Sequence, residues 1–146
     1  MKVELIAFEA GGQLFGLDIM AVREIRAWTP VTPLPQVPHY VAGVVNLRGA
    51  VLPVIDLAAR LGWPPTQTTP RHAIIVIQLG TQTMGLIVDS VSDIVALPAD
   101  ALQPPPSTGQ DDVVQFLQGL AALSDRMVMV LDLSRLEATE TMANAA

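Results

Sequence analysis

Few side chains in this sequence are equipped for covalent or metal chemistry. There are two histidines: His39 follows a proline, and His72 precedes the apolar run at 73–77. Neither has the second histidine four residues away that a helical metal site needs. Cysteine is absent, which removes disulfides, thiolate ligands and a Cys nucleophile. Asp111 and Asp112 stand together in a Pro/Ser/Gly-rich stretch and read as a solvated pair. Asp56 opens "DLAARLG" and Asp132 opens "DLSRL", the position of a helix N-cap. No nucleophile elbow, phosphate loop or dinucleotide fingerprint occurs. These residues predict a protein that is not an enzyme and takes no cofactor or metal. What remains is a cation in an unusual place. In "GVVNLRGAVLPVIDL" (43–57), Arg48 and Gly49 separate two β-branched runs that both have the composition of buried strands.

The balance of charge narrows the partners. The net charge is −6 and the isoelectric point about 4.6, the wrong sign for a phosphate-backbone binder, so no nucleic-acid partner is expected. Hydrophobic residues make up 51% and charged ones 15%, ample for a core. No apolar run approaches the ~18 residues of a membrane span. The N-terminal "MKVELIAF" lacks a secretory apolar stretch. A cytoplasmic protein without direct membrane insertion is expected.

The elements that must position Arg48 occur twice. Residues 5–25, "LIAFEAGGQLFGLDIMAVREI", align without gaps on 74–94, "IIVIQLGTQTMGLIVDSVSDI", and 43–57 align on 119–133, "GLAALSDRMVMVLDL". Ile6/Ile75, Gly16/Gly85, Val22/Val91, Gly43/Gly119 and Asp56/Asp132 are identical pairs, and Glu24 meets Asp93. Each copy reads as strand, Gly-containing turn, strand, Pro-rich connection, strand, tight turn, strand. "WTPVTPLPQVP" and "LPADALQPPPSTGQDD" carry most of the 12 prolines and cannot be central strands. The reading is all-β: a small curled barrel of about 60 residues per copy, two copies sharing a core, with short helices at 57–61 and after Asp132. The boundaries expected are 1–68 and 69–136, followed by a polar tail at 137–146. Val22 and Glu24, two apart, are expected on one strand face.

"FGLDIMAVREI", "TPLPQVPHYVAGVVNLRGAVLPVIDL", "MGLIVDSVSDI" and "GLAALSDRMVMVLDL" together resemble the CheW family of chemotaxis coupling proteins, over nearly the whole chain. The resemblance implies a single CheW-like domain of two five-stranded SH3-like barrels. It implies an adaptor that couples the cytoplasmic tip of chemoreceptors to a CheA-type histidine kinase, located at receptor arrays near the inner membrane. Relatives with these motifs also serve other receptor-kinase pathways, such as type IV pilus control. By resemblance, Val22, Glu24, Gly43, Arg48 and Val91 face the receptor, while Ile6 and Ile19 face the kinase. Glu24 is implied to lie beside Arg48 and to hold or supplement it.

Each assignment has a plainer counterpart. Arg48 also has a plainer reading, as the solvent-facing residue of a hairpin turn in which Gly49 takes a positive φ. Val22, Val91, Ile6 and Ile19 read as core, and the shared Gly43/Gly119 reads as a common structural need. One departure is visible. Where some family members carry an acidic–aromatic pair after the second Pro-rich segment, this chain has Ser107 and Thr108, which puts ring-type array contacts through that loop in doubt.

Overall fold

A computed structural model describes residues 2–104, 112–123 and 126–136; Asp111, the Ser107/Thr108 segment and the tail lie outside them. The first copy forms β1 (Lys2–Ala10), β2 (Gln13–Asp18), β3 (Val22–Ala27), β4 (Val41–Leu47), β5 (Ala50–Asp56) and the one-turn helix α1 (Leu57–Arg60). The second repeats it as β6 (Ala73–Leu79), β7 (Gln82–Val88), β8 (Ser90–Pro98), β9 (Leu117–Leu123), β10 (Arg126–Leu131) and α2 (Leu133–Leu136). No helix among the described residues is long and apolar enough to cross a membrane.

The ten strands make two five-stranded sheets, in the orders β8-β1-β2-β10-β9 and β3-β6-β7-β5-β4. The expected division at residue 68 therefore does not follow the sheets. Each copy's first hairpin, β1–β2 or β6–β7, has crossed into the sheet built by the other copy's last three strands. The exchange keeps register. Val22↔Ile77 and Ile25↔Ile75 in one sheet become Val91↔Phe8 and Ile94↔Ile6 in the other. The parallel pair Val54↔Gly85 becomes Val130↔Gly16. Identical hairpins compete for identical edges, so sequence similarity alone does not say which copy a hairpin joins.

Three apolar clusters result. Leu5, Ala7, Val128 and Val130 fill the first sheet's own interior, and Val45, Val54, Ile74 and Val76 the second's. Between them lies a shared core that includes Phe8, Phe15, Ile55, Ile75, Ile77 and Leu86. Strands such as "LIAF" are apolar at every position because one face points to the local cluster and the other to the shared core. Arg60 of α1 lies 4.4 Å from the Tyr40 ring centroid and 4.7 Å from that of Phe116. It also donates to the Arg135 carbonyl, tying the two copies together.

The two capping aspartates differ. Asp132 accepts from the Ser134 amide at 3.1 Å, as a cap should. Asp56 makes no cap bond. Its buried carboxylate instead accepts from the amide and hydroxyl of Thr66, at 2.7 and 2.6 Å, and pins the connection that leads to β6. A buried carboxylate takes the two donors that satisfy it together in preference to one frayed helix amide.

Candidate functional site

The site is built on an irregularity in β3. Val22 pairs with Ile77 and Glu24 with Val76, so two residues of β3 span one step of β6 and Arg23 forms a bulge. Directly paired residues point to the same face of a sheet. Val22 therefore sides with Ile77 toward the shared core, and Glu24 with Val76 toward the second sheet's own interior. The expectation that Val22 and Glu24 share a face fails for this reason. A two-residue spacing holds only where the ladder is regular.

Glu24 meets the β4–β5 hairpin. Leu47 pairs with Ala50, leaving Arg48 and Gly49 as a two-residue turn with φ of +52° and +87°. Two positive φ values define the type I′ turn, whose twist suits a hairpin and whose usual residues are Asn and Gly. The Asn46 side chain accepts from the Gly49 amide at 2.9 Å and fixes the turn. Gly49 was expected at a positive φ; Arg48 shares it, in a region that L-residues with long side chains avoid. From there Arg48 reaches Glu24: its Nη2 donates to Oε2 at 2.8 Å. Arg26, on the same face as Glu24, approaches Oε1 at 3.4 Å. Arg48 is 74% exposed and the Glu24 side chain 25%. The Arg48 hydrogen bond holds the Glu24 carboxyl below its ordinary range against the opposing effect of partial burial, and the same bond raises the Arg48 guanidinium. Arg23, Glu24 and Arg48 ring a pocket of about 300 Å³ with an apolar floor of Leu47, Leu52 and Val76. The arrangement offers a cationic rim above apolar surface.

The other residues named from the sequence fall in several places. Gly43 is buried at φ +150°, and its partner is internal. Thr32, in the connection after β3, exchanges two 2.9 Å hydrogen bonds with Val44, and a Cβ on Gly43 would overlap the Thr32 carbonyl, lying 2.6 Å from its carbon. The structural need expected of the Gly43/Gly119 pair is a close backbone approach within the chain, since the same approach recurs between Gly119 and Gln103. Val91 lies in the opposite sheet from Arg48, half-buried against the shared core, as Val22 is. Ile6 is 5% exposed between β2 and β8 and is no part of an exposed rim. Ile19 begins the short 3-10 turn Ile19–Ala21 after β2 and is half-buried beside Met20, which is 87% exposed.

Sequence reasoning passed over Met20, Arg23, Arg26 and the exposed Ile25 and Ile94. The repeat equivalence of Ile25 and Ile94 was visible in the alignment. Their exposure was not, because each pairs with an isoleucine that is buried.

Comparison with known proteins accords with this architecture. Residues 4–140 match the CheW-like domain family. The chain is 50% identical over 143 residues to a probable chemotaxis protein CheW from Rhizobium etli, covering 98% of this chain and 92% of that one. It is 50% identical over 130 residues to the chemotaxis protein CheW of Rhizobium meliloti, covering 89% and 84%. The crystal structure of the scaffolding protein TtCheW from Thermoanaerobacter tengcongensis superposes with a TM-score of 0.84 at 32% identity, over 93% of this chain and 88% of that one. With two exchanged five-stranded sheets, a whole-length family match and relatives at half identity, this chain belongs to the CheW family.

Proposed function

We propose that the chain is a non-catalytic cytoplasmic adaptor that couples the helical tip of chemoreceptors to a CheA-type histidine kinase. The observation that carries this reading is Arg48: a strained turn residue, highly exposed, held by Glu24 over an apolar pocket in a protein of net charge −6. Strain of this kind persists where the side chain is used. A cationic rim above apolar surface suits an acidic amphipathic helix. In this reading Glu24 and Arg48 meet the receptor's charges, the exposed Ile25 and Ile94 supply apolar contact, and Val22, Gly43 and Val91 support that face from within. The kinase takes the end of β2, where Ile19 and Met20 are available, with Ile6 supporting it from inside the β1–β2 hairpin.

The test is a paired titration against a soluble chemoreceptor signalling fragment and against the kinase's regulatory domain. Arg48→Glu is expected to weaken receptor binding about tenfold or more, because it adds like-charge repulsion, and to leave kinase binding unchanged. Ile19→Asp is expected to do the reverse. Equal losses on both partners for either variant would refute the division of faces.

A further inference from the structure

We propose that Arg23 is a second partner-binding cation of this face and the one that sets its affinity for an acidic helix; this rests on the receptor-binding reading above. Adjacent residues of a regular strand point to opposite faces. Arg23 and Glu24 nevertheless line the same pocket, because the bulge lies between Val22 and Glu24 and re-aims a side chain.

The three arginines here are not alike. Arg48 and Arg26 both lean on Glu24. Arg23 is exposed, and among the described residues its side chain has no hydrogen bond or ion pair. Three of the chain's eight cationic residues thus gather around a single carboxylate in an acidic protein, and Arg23 is the uncompensated one.

The duplication supplies an internal control. The second copy forms the equivalent pocket, about 540 Å³, with Asp93 for Glu24, Leu123 for Leu47, Ala7 for Val76, Ser92 for Arg23, and Arg126, which is paired with Glu9, for Ala50. The same bulge occurs there, between Asp93↔Ala7 and Val91↔Phe8. The fold therefore makes this pocket and this bulge with a serine, so the arginine answers a need outside the fold. A carboxylate of the partner that reaches Arg48 shares a guanidinium already half neutralised by Glu24. A carboxylate that reaches Arg23 forms a pair where none existed. Arg23 accordingly steers association, and the partner it suits is a helix carrying two or more carboxylates on one face.

The experiment measures binding of the full chain and of Arg23→Gln, Arg23→Ser and Arg23→Lys to a soluble chemoreceptor signalling fragment. The salt is raised from ~0.1 M to ~1 M, where the Debye length falls from ~10 to ~3 Å. Arg23→Gln and Arg23→Ser are expected to bind about fivefold more weakly at the lower salt. The loss should lie mostly in the association rate and close at the higher salt, and Arg23→Lys should recover most of it. Thermal midpoints should match the wild type, since Ser92 occupies the equivalent place. Equal affinity and equal salt dependence of wild type and Arg23→Gln would overturn the inference and leave the receptor reading standing. A loss undiminished at ~1 M salt would assign Arg23 to packing and also overturn it. Failure of the wild type to bind would overturn the receptor reading and this inference with it.

Discussion

At the scale of single residues, the β4–β5 turn sets stability against contact. A type I′ turn asks for positive φ at both central positions, and glycine adopts it without the Cβ penalty that arginine incurs. Arg48 recovers part of that penalty through its 2.8 Å bond to Glu24, but the pair is exposed, and exposed pairs contribute little. Arg48→Gly is therefore expected to raise the thermal midpoint by a few degrees while weakening receptor binding, with Glu24 retaining Arg26. A lower midpoint, measured by calorimetry, would show that the ion pair outweighs the backbone. The sequence marked Arg48 as out of place between two buried runs, and the Glu24 contact came from family resemblance. Arg23 stayed hidden because a bulge is a property of how two strands pair. Nothing within "AVREI" says which residue β6 will leave unmatched.

At the scale of elements, two small connections each join the two edge strands of one sheet. The chain after β3 returns through Thr32 to Val44 of β4, and the chain after β8 returns through Gln103 to Leu120 of β9. Each crossing passes over a glycine, and the two glycines are stressed differently. At Gly43 a Cβ would collide with Thr32 backbone, and φ is +150°. At Gly119 a Cβ would sit 2.8 Å from the Gln103 carbonyl oxygen. Gly43→Ala is expected to destabilise by about 4 kcal/mol and Gly119→Ala by about 2 kcal/mol, because the clash at Gly43 is the closer of the two and falls at a positive φ as well. Urea unfolding of the two variants checks the order; equal or reversed costs would show that the Thr32 connection moves freely. The hairpins, Pro-rich connections and short helices were legible, since glycines and prolines mark where strands stop. The crossings were not, because they join residues 12 and 17 positions apart through segments that carry no strand pattern.

For the whole molecule, duplication was legible and exchange was not. A repeat says that two units share a shape, and the natural division is at the midpoint. The sheets instead combine strands from both halves, so neither half contains a complete sheet. The half up to residue 68 would hold β1–β2 without β8 and β10, and β3, β4 and β5 without β6 and β7 between them. Its share of the common core, including Phe8, Phe15 and Ile55, would face water. A unit of about 60 residues is marginal even with its sheet intact. Separately expressed fragments 1–68 and 69–146 are therefore expected to be largely unfolded alone, with collapsed amide dispersion in their NMR spectra. Mixed at equal concentration they should regain dispersion and a cooperative transition, because each supplies the hairpin that the other's sheet requires. If fragment 1–68 folded by itself into a stable sheet, the hairpin would have an equally good home within its own copy. The exchange would then be a choice between near-equal pairings instead of a requirement of the fold.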